Sequence, residues 1–124
     1  MSDLDKLAKL IATLAKLTQD HKVAWSETAD ENTFQISFPQ YNVSVTKKYA
    51  GQNWGEEYYE YRITVRDQAG KILEDAGHSD FGVDSFRGVT AESVMKSLYD
   101  DARRSALKVD EALSDLLSSL DHLK

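Results

Sequence analysis

The chain of 124 residues has no cysteine, a single proline and three histidines. Without cysteine there can be no disulfide, no thiol nucleophile and no thiolate metal site. Long apolar runs are missing as well. Lys6, Lys9, Thr13 and Lys16 interrupt the N-terminal apolar patches, so nothing approaches the roughly 20 apolar residues of a membrane span. Met1-Ser2-Asp3-Leu4-Asp5 lacks the basic start and apolar centre of a secretory signal, and the expected location is cytoplasmic. The glycines are not spaced as a phosphate-binding loop. Positive charge is in deficit, with 15 Lys and Arg against 21 Asp and Glu and a net charge of −6. A general nucleic-acid binder needs a basic surface to displace counterions from phosphates, so nucleic acid is not an expected partner. The acidity is spread along the chain in short pairs such as Glu56-Glu57 and Asp100-Asp101, a pattern that favours solubility over mimicry of a polyanion.

What is present is the material of one domain spanning residues 1–124. Hydrophobic residues make up 41% and charged residues 29%, ordinary values for a globular chain long enough to bury a core. The dominant pattern is a stripe running from Thr90 to Leu123. Met95, Tyr99, Ala102, Ala106, Val109, Leu113, Leu116, Leu120 and Leu123 recur at spacings of four and three, which places them on one face of an α-helix. Ser2 with Asp5 forms a capping-box-like start for a first helix, expected over about Asp3 to Thr18. Leu4, Leu7, Ile11 and Leu14 share a face there, widened by Leu10 and Leu17.

Between the helices the period falls to two. Phe34, Ile36 and Phe38 form one alternating series, Tyr41, Val43 and Val45 a second, and Tyr59, Tyr61, Ile63 and Val65 a third. Strict alternation marks strands with one buried and one wet face. Pro39-Gln40 joins the first two strands, Ala50 to Gly55 the next pair, and Asp67-Gln68-Ala69-Gly70 leads into a short fourth strand at Lys71 to Asp75. Gly77 to Gly88 reads as a long connection whose Phe81 and Phe86 tuck back onto the core, with Thr90 as N-cap of the final helix.

The expected fold is therefore α+β, with order α-β-β-β(-β)-α and both helices on one face of an antiparallel sheet. One mismatch remains. A continuous helix of 34 residues would reach roughly 50 Å, against about 27 Å for strands of eight residues. The helix should therefore bend near Lys108-Val109-Asp110 or overhang the sheet. Leu113, Leu116, Leu120 and Leu123 are expected to be buried, by the first helix after a bend or by a second chain. The first helix, with its own broad leucine face, is the nearer cover. The chain is expected to be a monomer or a weak homodimer.

Trp25-Ser26-Glu27-Thr28 and the stretch Leu98 to Leu113 resemble small bacterial proteins that share this helix–strands–helix order. The likeness implies the architecture and carries no activity with it. The order α-β-β-β-α also resembles the double-stranded-RNA-binding domain. Function in that family depends on basic residues opening the last helix, where this chain has Thr90-Ala91-Glu92-Ser93-Val94-Met95-Lys96.

Candidate chemistry is sparse. His78-Ser79-Asp80 with Asp84 could ligate a metal or orient a general base, although such loop residues are commonly turn formers and solvated polar groups. His21 and His122 lie near helix C-termini, where the dipole favours a cation. Asp80-Phe81-Gly82 and Ser93-Val94-Met95-Lys96 match fragments of kinase and β-lactamase signatures without their companions. No catalytic, cofactor-binding or metal residue is assigned. The possible interaction surface is Trp54, Tyr58, Arg62 and Arg66, because Trp, Tyr and Arg are enriched in interface hot spots and Tyr58 is out of phase with the buried series. The expected function is a non-catalytic protein–protein interaction or regulatory module. An inhibitor or immunity-type protein binding through an acidic and aromatic surface is one alternative. A small metal-dependent hydrolase using the 78–84 loop is another.

Overall fold

The computed structural model describes residues 3–82 and 85–123. Helix α1 (Asp3–Gln19) leads into strands β1 (Ser26–Glu27), β2 (Thr33–Ser37), β3 (Tyr41–Asn53), β4 (Glu56–Asp67) and β5 (Ile72–Gly77). A 3₁₀ turn (His78–Asp80) and two helices, α2 (Ala91–Ala106) and α3 (Val109–Asp121), complete the order. The five strands form an antiparallel meander in the order β1-β2-β3-β4-β5, so the α+β expectation holds with one more strand and one more helix than the sequence pattern showed. Ser2, the expected capping residue of α1, lies outside the described residues.

The strand phase is as the alternation predicts. Phe34, Val45, Ile63 and Ala76 form one row across β2, β3, β4 and β5, and Ile36, Val43 and Val65 form the next. Leu7, Ala8, Ile11 and Leu14 of α1 and Met95, Leu98, Tyr99 and Ala102 of α2 close over these rows. Tyr99 stands between the strands, its ring 5.6 Å from Phe34 and 5.8 Å from Tyr61. Each large apolar side chain so buried contributes about 1.5–3 kcal/mol, making these rows the main source of stability.

Trp25 ties the two covering helices together. Its indole Nε1 donates to Thr18 Oγ1 at the end of α1, and its backbone N donates to Ser105 Oγ near the end of α2. Phe81 and Phe86 do fold back against one another at 5.5 Å, with Phe86 buried. Thr90 caps α2 by accepting from the backbone N of Ser93.

Four expectations are corrected. Phe38, expected in the core, is 42% exposed. β2 ends at Ser37, and Phe38 belongs to the turn in which its N–H donates to the Tyr41 carbonyl. Residues 50–53 are not a loop but continue β3, leaving Trp54-Gly55 as the whole connection. The fourth expected strand starts and ends later, at Ile72–Gly77, because Asp67 accepts from the N–H groups of Ala69 and Lys71 and holds the turn open to that point. Finally, the long C-terminal helix is two helices, broken at Lys108, which adopts a left-handed conformation with φ of 54°. The break comes where the sequence predicted a bend, but α3 does not return to α1. Leu113, Leu116, Leu120 and Leu123, expected to be buried by the first helix or by a second chain, are not covered by the first helix and are 48%, 59%, 56% and 81% exposed in the single chain.

Candidate functional site

The open face of the sheet is polar and internally satisfied. Arg62 bridges Glu60 and Asp75, with Nη2 3.1 Å from the Asp75 carboxylate. These two acids hold its guanidinium above the usual arginine pKa. Thr64 donates to the other oxygen of Asp75, Arg66 donates to Ser44 Oγ, and Thr33 is bonded to Thr46. Ser44 and Thr64 are consequently buried although they face away from the helices. Cross-strand pairs of this kind stabilise a sheet, and the arginines expected at an interface are engaged in them.

His78 is not a solvated loop residue. Its side chain is 18% exposed, packed beside the Tyr61 ring. Nδ1 accepts from the backbone N of Tyr61 just past the end of β5, and Nε2 faces the Glu92 carboxylate at 3.3 Å. That pattern places the ring proton on Nε2. Asp80 accepts from the backbone N of Gly77. The polar groups of this turn thus complete the backbone bonding at the end of β5. Asp84 lies outside the described residues, and among the described residues no group of three His, Asp or Glu could hold a metal ion.

The β3–β4 hairpin carries exposed aromatics. A bulge at Ala50 shifts the register, so that Tyr49 pairs with Tyr59 but Gly51 pairs with Tyr58. Tyr58 lies across Gly51, whose φ of 137° is a conformation that residues with a side chain rarely adopt. Tyr49 packs edge-on to Tyr59, over which sits the Lys47 ammonium. Tyr59 donates to the Glu57 carboxylate, which raises its phenol above the ordinary pKa. At the tip, Trp54 and Gly55 both have positive φ, 56° and 81°, as a type I′ turn requires. Asn or Asp is the residue that fits the first of these positions. A bulky residue there is an outlier, and this one is 95% exposed. Trp54 and Tyr58 therefore share the hairpin, while Arg66 lies eight residues beyond Tyr58, roughly 26 Å along the strand. Of the four residues expected to form one surface, Trp54 and Tyr58 lie at the hairpin, and Arg62 and Arg66 lie further along β4, held in side-chain bonds.

Further apolar surface is exposed along α3 and at Leu123 just past its end. Leu113, Leu116, Leu117, Leu120 and Leu123 are each between 48% and 81% exposed, and the helix makes its main contact with α2. Arg104 Nη2 meets Asp110 Oδ1 at 2.7 Å across the break. Such a stripe amounts to a patch on the order of several hundred Å², the size that marks an interaction site. The leucine periodicity was visible in the sequence. What it could not disclose is that one left-handed residue turns the stripe away from α1.

No described helix is long and apolar enough to cross a membrane. Comparison with protein-family models, curated proteins and solved structures gives no match, so the functional reading rests on these surfaces alone.

Proposed function

We propose that the chain is a non-catalytic protein–protein interaction module whose principal docking surface is the leucine face of α3. One observation carries this reading: four leucines of α3, with Leu123 just past its end, stand exposed on an element that turns away from the core its own sequence periodicity would have it join. An amphipathic helix presenting apolar side chains at spacings of three and four is a recurrent recognition element. Trp54, held in a conformation that suits another residue type, supplies a second apolar point at the far end of the β3–β4 hairpin.

The hydrolase alternative has less in its favour, because His78 and Asp80 are engaged in contacts with the backbone and with the Glu92 carboxylate. The test is a pair of chains expressed in the native cell, wild type and Leu116→Asp/Leu120→Asp. If the α3 face is the docking surface, the wild type associates and supports its cellular role, whereas the double variant folds normally and does neither. Indistinguishable behaviour of the two would contradict the reading.

A further inference from the structure

Resting on that reading, we infer that the occupant of the α3 face is α3 of a second copy, the two helices packed antiparallel about a two-fold axis. The first support is the arrangement of charge around the stripe. Val109, Leu113, Leu116, Leu120 and Leu123 form the seam, and Asp110, Ala112, Leu117 and Ser119 flank it. Flanking positions of a paired helix are where charges select a partner and exclude others. Here they are small, neutral or apolar, except for Asp110, which Arg104 of the same chain neutralises. Glu111, Asp115 and Asp121 fall on the opposite side. No charge on the flanks opposes an identical helix, and none is aimed at a differently charged one. Ala112 and Ser119, one heptad apart on the same flank, allow the backbones to approach closely.

Orientation follows from what surrounds the break. Lys108 is exposed at the start of α3. An antiparallel pair sets the negative pole of each helix C-terminus toward the other copy's Lys108, and opposes the two helix dipoles. A parallel pair would bring both Lys108 side chains, and both folded bodies, to the same end.

Size and helix stability agree. Two such stripes face to face remove on the order of 1,000 Å² from solvent, the lower bound of a specific interface, so the expected dimer is a weak one. A helix of 13 residues is near the limit below which isolated helices barely form in water, about 12–15 residues. Pairing supplies the packed apolar face that α3 lacks within its own chain. A lipid surface fits less well, because residues 109–121 contain acidic side chains and no Lys or Arg to meet anionic headgroups.

The experiment is sedimentation equilibrium of the full chain from about 1 to about 200 μM, a range that brackets a weak dimer. The apparent mass should rise from 14.0 kDa toward twice that value, while Leu116→Asp/Leu120→Asp stays monomeric throughout. Orientation is read separately. Because the chain has no cysteine of its own, Ala112→Cys and Ser119→Cys chains can be mixed and oxidised. The mixed disulfide should dominate, since sulfurs bridge only where Cα atoms come within about 7 Å. Dominant self-disulfides at either position would overturn the antiparallel pairing. A wild-type mass fixed at the monomer value at every concentration would overturn the second copy as occupant. If the leucine variant still lost its cellular role in that case, the docking surface would stand with a different partner. If it lost nothing, both readings would fall.

Discussion

Arg104 and Asp110 hold one another across the break between α2 and α3, with guanidinium and carboxylate 2.7 Å apart and Lys108 between them in a left-handed turn. Both side chains are largely exposed, so the ion pair itself contributes only about 0–1 kcal/mol. The turn at Lys108 decides the direction of α3, and a β-carbon in that conformation costs about 1–2 kcal/mol.

Lys108→Gly is therefore expected to leave stability unchanged or raise it by up to about 1 kcal/mol, since glycine adopts this conformation freely but gains freedom when unfolded. Denaturant titration provides the check. In an unbroken helix the same change would cost about 1 kcal/mol, so a loss of that size would contradict the break.

Thr18→Val removes the acceptor of the buried Trp25 indole N–H. An unsatisfied buried donor costs about 1–3 kcal/mol. In a Trp25→Phe background the donor is already gone, and the valine substitution should then cost much less. Equal costs in the two backgrounds would show that this bond does not join α1 to the segment leading into the sheet.

Burial raises the phenols of Tyr61 and Tyr99 above the ordinary tyrosine value. Unfolded tyrosine ionises near pH 10. The folded chain holds these protons more tightly, so this contribution to stability is full below about pH 10 and is lost as pH climbs through the higher folded values. Denaturant midpoints between about pH 8 and about pH 12 should fall steeply in the wild type and less steeply in Tyr61→Phe or Tyr99→Phe. Identical slopes would contradict the assignment.

Trp54→Asn places the favoured residue at the first position of the type I′ turn. Hairpin stability should hold or rise by a few tenths of a kcal/mol, in keeping with an exposed site, and it is read from the thermal midpoint. A destabilisation above about 1 kcal/mol would mean that the indole packs onto the body after all.

The sheet was legible in the sequence because Phe34, Ile36, Val43, Val45, Tyr61 and Ile63 alternate without interruption and the helices cover that side. β1 was not, because two residues are too few to show a period. The outer half of the β3–β4 hairpin was hidden by the bulge at Ala50, which breaks the alternation between Tyr49 and Gly51. His78 looked like a loop residue because its acceptor role depends on Tyr61, seventeen positions away and in another strand. The leucine stripe was plain, but its exposure turns on the backbone angle of Lys108, a residue type with no particular preference for the left-handed region.

The most direct measurement is the denaturant stability of dilute Leu116→Asp/Leu120→Asp beside the wild type. With both leucines outside the core, the body of the variant should unfold within about 0.5 kcal/mol of the wild type, as surface substitutions do. If they pack within their own chain, each change exceeds the loss of about 2–5 kcal/mol that even alanine causes at a buried leucine. A variant that is unfolded or destabilised on that scale would contradict α3 as an outward-facing surface.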